Sequence, residues 1–161
     1  MGSKRPRIYV DTSVIGGCED EEFKGPSTRL MKRFLSGDAI IVFSDVTVAE
    51  LEGAPARVQA ILRDIDPVNM EYVALNDEVT RLAEEYWRQG ALPPRMIADA
   101  QHIALATVAQ VDVLVSWNFK HIVNLSRIHK YNSVNLREGY PLLEIRSPQE
   151  VLQDEPQDEE I

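Results

Sequence analysis

The sequence predicts an α/β fold, a central parallel sheet of about five strands with helices on both faces. Three observations lead there. Short apolar runs of strand length recur along the chain, at residues 8–10, 39–43, 71–75, 113–115 and 142–145. Between them lie stretches with apolar residues at helical spacing, such as Val79, Leu82, Ala83, Tyr86 and Trp87. Gly, Pro, Ser, Asn and Asp mark the junctions. Strands that alternate with helices favour parallel pairing through crossovers.

The first run, Ile8-Tyr9-Val10, has the continuous apolarity of a strand buried on both faces, and it leads into Asp11-Thr12-Ser13. Residues 16–26 combine acids with three Gly and a Pro and predict an exposed loop. Ser27 or Thr28 is placed to cap a helix through Leu35, with Leu30, Met31, Phe34 and Leu35 on one face. Ser44 or Asp45 caps a short helix carrying Val48, Glu50 and Leu51. Gly53-Ala54-Pro55 breaks that helix and opens another, ending near Ile65. Asn76 or Asp77 caps a helix through Arg88, and residues 95–109 form a strongly apolar one. Residues 116–119 lead into mostly helical chain up to Glu138. Ser147-Pro148-Gln149-Glu150 has capping-box spacing, with Pro at the first helical position. One domain over residues 1–149 follows, then a short helix and an acidic end, residues 150–161, expected to be disordered.

Charge narrows the partners. The chain of 161 residues carries a net charge of -9. Residues 150–161 hold six acids and no base; without those six, 20 acids face 17 bases, a balance of -3. Glu19-Asp20-Glu21-Glu22 adds a second acidic cluster. No broad basic face of the kind that holds nucleic acid by phosphate contacts alone is evident, so a metal or a local Arg/Lys group would have to meet phosphates. The single cysteine, Cys18, excludes an internal disulfide and a Cys-based zinc site. No signal-peptide core and no bilayer-length apolar run occur, which predicts a cytoplasmic protein without a membrane partner.

Four positions stand out chemically. Asp11 follows the first strand, Glu50 lies in the short helix after the second, Asp99 sits in the apolar helix, and Asn118 follows the fourth strand. In open α/β sheets, ligands bind where the strands end. A carboxylate among Met96, Ile97, Ala98, Ala100 and Ile103 needs a compensating partner. Arg95, one turn earlier, is one candidate, and a metal ion is the other. Hard divalent ions such as Mg²⁺ take oxygen ligands, keep several waters and bind through one or two carboxylates plus phosphate. Such a site needs neither a basic surface nor a Ser-His or Cys-His pair, and no such pair is evident.

Other residues have plainer readings. Thr12 and Ser116 are candidates for orienting metal-bound water, though strand-end hydroxyls usually bond to backbone. Glu52 lies about 200° around the helix from Glu50 and should face solvent. His102, three residues after Asp99, reads first as a satisfied structural histidine. Lys120 and His121 are candidates for phosphate contact or for an ordinary surface role. Arg127, His129, Lys130 and Tyr131 read as a solvated helix face, and Trp117 as core.

Val10-Asp11-Thr12-Ser13-Val14, Val48-Ala49-Glu50-Leu51, Ala98-Asp99-Ala100-Gln101-His102-Ile103-Ala104 and Leu114-Val115-Ser116-Trp117-Asn118-Phe119-Lys120-His121-Ile122 resemble the successive motifs of the PIN-domain family. The last resembles its bacterial VapC-type branch of toxin ribonucleases. The resemblance runs from about residue 8 to 147. It implies an α/β/α sandwich with strand order 3-2-1-4-5 and a Mg²⁺- or Mn²⁺-dependent endoribonuclease. Asp11, Glu50 and Asp99 would be the acidic ligands, RNA the substrate, a small antitoxin and a second copy of the chain the partners. Family members commonly carry Asp where this chain has Asn118. That departure removes one negative charge, so a second metal should bind less tightly. A non-catalytic PIN-like binding module is the alternative it raises. A receiver or phosphatase-type domain ranks third, because Asp11-Thr12-Ser13 lacks the Asp-x-Asp-x-Thr pattern and Arg5-Pro6-Arg7 supplies no acidic pair.

Overall fold

A computed structural model describes residues 5–153. Five parallel strands form one sheet in the order β3-β2-β1-β4-β5: β1 Arg7–Val10, β2 Ile40–Ser44, β3 Met70–Val73, β4 Val113–Val115 and β5 Ile145–Arg146. The expected fold class and strand order are therefore the observed ones. β1 is central, with Tyr9 opposite Val42 on one side and Leu114 on the other.

Alternation along β1 divides the core. Tyr9 points to one face with Val42, Leu114 and Ile145, where α5 (Asp77–Arg88), α6 (Ile97–Ala109) and α7 (Leu125–Arg137) pack through Leu82, Tyr86, Ile103 and Tyr131. Ile8 and Val10 point to the other, with Ile41 and Val115, under α1 (Thr12–Gly17), α2 (Lys24–Ser36) and α4 (Ala56–Arg63). The short α3 (Asp45–Glu52) spans both layers at the carboxyl end of β2, giving Val46 to one and Leu51 to the other. α8 (Pro148–Gln153) closes the described chain with the expected box: Ser147 N–H donates to Glu150 Oε1 and Glu150 N–H to Ser147 Oγ. The expected disordered end, residues 154–161, lies outside the described residues. Among those described, no helix is long and apolar enough to cross a membrane.

Three local expectations are corrected. The predicted exposed loop over residues 16–26 is shorter than expected and covers residues 18–23, because α1 starts directly after Asp11, buries Val14 and Ile15 and runs through Gly17, while α2 begins at Lys24. Neither Ser27 nor Thr28 caps α2. Its N-cap is Phe23, and the buried Ser27 Oγ instead accepts from Trp117 Nε1 at 2.8 Å. The last strand falls at Ile145–Arg146 rather than 142–145, since β4 pairs there and Leu142 is 65% exposed.

Gly17 explains why helical chain carries glycine here. A Cβ at this position would stand 2.4 Å from Ser27 Oγ and 3.0 Å from Trp117 Nε1. Gly17→Ala must displace one or both, so it is expected to cost about 1–3 kcal/mol in urea unfolding.

Candidate active site

The site is built from the ends of β1 and β4, neighbours at the point where strand order reverses. Asp11 N–H continues their ladder to Val115 O at 3.3 Å, which sets Asp11 beside Ser116. Asp11 occupies the N-cap position of α1, yet its carboxylate makes no cap bond. Instead Oδ1 accepts from Ser13 Oγ and Oδ2 from Ser116 Oγ, both at 2.6 Å. The hydroxyls are held in turn: Ser13 Oγ accepts from Trp117 N–H and Ser116 Oγ from Asn118 N–H, each at 2.9 Å. Trp117 is itself fixed as core, stacked on Phe23 with ring centroids 4.2 Å apart.

Glu50 reaches this place from α3. Its Oε1 accepts from Thr12 Oγ1 at 2.6 Å and pairs with His102 Nε2 at 2.7 Å. Asp99 comes from the first turn of α6, where the helix dipole favours a negative charge. Asn118 Nδ2 donates to Asp99 Oδ2 at 3.3 Å. The Asn118 Oδ1 accepts the backbone N–H of Lys120 and of His121, at 3.2 and 2.9 Å, so this side chain also organises the turn after β4. Four separate segments thus meet in one hydrogen-bonded neighbourhood, running from Asp99 through Asn118 and Ser116 to Asp11, with Thr12 linking on to Glu50.

The electrostatics of the three acids differ. Burial pushes Asp11 above the usual carboxylate range, against the opposing charge of His102 and the two serine hydroxyls. Burial likewise raises Asp99; His102 opposes this, and the negative charges of Asp11 and Glu50 add to it. Glu50 moves down, chiefly through the His102 hydrogen bond. His102 lowers the proton affinity of all three acids, and His121 that of Asp99. Arg95 is exposed and precedes the start of α6, so it is not on the helical face of Asp99 and makes no recorded ion pair with it.

Among the described residues, no three His, Cys, Asp or Glu side chains close on one point at metal-binding spacing. The donor chemistry nevertheless suits a hard divalent ion. Asp11 and Glu50 are close enough to raise the proton affinity of Asp99. Among the described residues, no hydrogen bond reaches Glu50 Oε2 or Asp99 Oδ1. An ion that keeps most of its waters needs only one or two direct carboxylates.

Sequence reasoning placed Asp11, Glu50, Asp99, Asn118, Thr12 and Ser116 in this neighbourhood, and the geometry brings all six together. It passed over Ser13, whose hydroxyl joins Asp11 to the Trp117 backbone, and it weighted His102 as structural. That histidine is satisfied, with Nδ1 on Tyr9 Oη at 2.7 Å, but its other partner is Glu50. The i, i+3 spacing from Asp99 was the available signal. Glu52 is exposed as expected. Lys120 is exposed, whereas His121 is buried with Nδ1 lacking a partner. Arg127 belongs to the scaffold: its Nη1 donates to Ala91 O at 2.7 Å.

Comparison with solved structures finds the same fold in several bacterial proteins. VapBC2 from Rickettsia felis, bound to a promoter DNA fragment, aligns with TM-score 0.54 and 13% identity over 88% of this chain and 98% of that one. FitAcB from Neisseria gonorrhoeae gives 0.54 and 12%, with the same coverages. VapC20 from Mycobacterium tuberculosis, described as a sarcin-ricin loop cleaving toxin, gives 0.51 and 14% over 71% of this chain and 92% of that one. No curated protein sequence matches the chain. The PIN-domain profile matches residues 8–119. With that match, the strand order and the shared fold, the chain belongs to the PIN-domain family.

Proposed function

We propose that the protein is a metal-dependent endoribonuclease that hydrolyses RNA phosphodiesters, acting as the toxin of a toxin–antitoxin pair. The convergence of Asp11, Glu50 and Asp99 on one hydrogen-bonded neighbourhood carries this reading. Asp11, Glu50 and Asp99 would hold Mg²⁺ or Mn²⁺, with Asn118 as a neutral fourth donor. Bound there, the ion would neutralise phosphodiester charge and make a water more acidic. Ser13, Ser116 and Thr12 keep the carboxylates in place, and Ser116 and Thr12 are the hydroxyls proposed to orient water. The exposed Lys120 is placed to meet an RNA phosphate beside Asn118. The toxin reading draws on the resemblance to the VapC-type branch and on the fold neighbour VapC20, which is described as a sarcin-ricin loop cleaving toxin. A small antitoxin carrying a basic segment is the partner that fits an acidic cleft; a second copy of this chain is the other partner of the proposal.

The direct test is incubation of purified protein with RNA in Mg²⁺ or Mn²⁺. Cleavage that EDTA abolishes is the expected result; intact RNA with either metal would overturn the reading.

One observation favours the binding-module alternative. Asn118 already spends its carbonyl on two backbone N–H groups and its amide on Asp99. Asn118→Asp separates the two readings. It keeps the acceptor for the turn, removes the donor to Asp99 and adds a charge. In a competent site it should lower metal-free stability by about 1 kcal/mol and strengthen Mn²⁺ binding severalfold. In a site that has lost its metal, only the stability loss appears in paired thermal melts and Mn²⁺ titrations.

A further inference from the structure

We infer that His102 is a positioning residue for Glu50: locked from behind by Tyr9, it grips Glu50 Oε1 and leaves Oε2 facing the cleft. The inference rests on the metal-binding reading above.

The lock begins in the core. Tyr9 is fully buried in β1, and its hydroxyl lies between Ser44 Oγ at 2.8 Å and His102 Nδ1 at 2.7 Å. Ser44 is also fully buried and is tied into the capping box of α3, where Thr47 N–H donates to its Oγ. The Tyr9 and His102 rings meet edge to face, 5.6 Å between centroids at 65°. His102, 2% exposed on α6, therefore has one ring orientation, and that orientation delivers Nε2 to Glu50. A carboxylate oxygen accepts, so Nε2–H is the donor.

Glu50 needs such a grip. It is a long side chain on an exposed helix face, with several rotatable bonds and substantial rotamer entropy. Its place near the carboxyl end of α3 sets it against the negative end of the helix dipole. Thr12 and His102 both bond to Oε1, so the carboxylate is held by one oxygen and the other has no partner among the described residues. A purely structural role would leave the expense of this polar chain unexplained. Ser44, Tyr9 and His102 are buried polar groups inside an otherwise apolar layer, where apolar residues of similar volume would pack without desolvation. The chain ends on a carboxylate of the candidate site. Outer partners of metal ligands typically change metal affinity by about 10- to 100-fold when removed.

The test compares wild type, His102→Leu, His102→Gln and Tyr9→Phe, reading Mn²⁺ affinity by electron paramagnetic resonance and Tm in parallel. His102→Leu should weaken Mn²⁺ binding about 10-fold or more. Glutamine, whose amide N–H can reach the same carboxylate, should restore affinity to within about threefold of wild type. Tyr9→Phe removes one hydroxyl that solvent never reaches, and should weaken binding about threefold. Should His102→Leu fail to fold, His102→Gln and Tyr9→Phe decide the matter. Variants with lowered Tm but wild-type Mn²⁺ affinity would reduce His102 to a structural residue, while leaving the metal reading intact. A wild type that binds Mn²⁺ no better than Asp11→Asn would remove the metal reading, and the positioning role with it.

Discussion

Asp11→Asn is expected to fold normally and to cleave RNA at least about 100-fold more slowly than wild type, since loss of even a supporting partner in a metal site acts on that scale. Folding should survive because the partners of Asp11 adapt. Ser13 and Ser116 each have a hydroxyl that donates to the carboxylate and accepts a backbone N–H. Asparagine keeps one acceptor oxygen for one serine, and its amide can donate to the other, whose second lone pair is available. The change removes the charge and little else. Matched far-ultraviolet circular dichroism and a fluorescent RNA cleavage assay check both halves. Loss of activity together with loss of fold would make Asp11 a structural residue instead.

Asp99→Asn is expected to raise the stability of the metal-free protein while abolishing cleavage. Burial, with the charges of Asp11 and Glu50 adding to it and His102 opposing it, pushes the Asp99 carboxyl above the usual carboxylate range. A carboxyl group whose pKa is raised by folding favours the native state when protonated. Its contribution is lost as pH rises from the ordinary carboxylate range through the raised pKa, so above it the charge destabilises. Asparagine removes the penalty, by roughly 0.5–1 kcal/mol once solvent screening of this half-buried group is allowed for. The order reverses with metal. A cation at 100 times its dissociation constant stabilises wild type by about 2.7 kcal/mol, and Asp99→Asn forfeits most of that. Thermal melts of both proteins with EDTA and with Mn²⁺ should therefore cross. A variant less stable than wild type under both conditions would mean that Asp99 is held by contacts rather than strained by charge. Removal of function together with a gain in stability is the usual mark of a site kept for chemistry.

The sheet was legible because its signals are local. Apolar runs of strand length and carboxylates immediately beyond them survive in one dimension, and Asp11 follows Val10 in the chain as it does in space. Features that depend on a distant partner were not legible. Gly16 and Gly17 read as loop, yet Gly17 is small because Ser27 and Trp117 pass close to it. Ser27 read as a cap because nothing nearby in sequence announced that Trp117 would take its hydroxyl. Leu142 and Leu143 made 142–145 look like strand, whereas pairing depends on where β4 offers its backbone, and Leu114 N–H and Ser116 N–H meet Glu144 O and Arg146 O. Arg95 and Asp99 have the spacing of an ion pair, but helical geometry begins only at Ile97. His102 is the most instructive. Its spacing from Asp99 placed it on the right face, while its partners Tyr9 and Glu50 come from β1 and α3 and become visible only when those elements pack together.

Titration of the metal-free protein with Mn²⁺, followed by the loss of the free-ion resonance and repeated on Asp11→Asn, bears most directly on whether these carboxylates form a cation site. Saturable uptake by wild type, with at least about tenfold weaker uptake by the variant, is the predicted result. Equal uptake by the two proteins, or none by either, would contradict it.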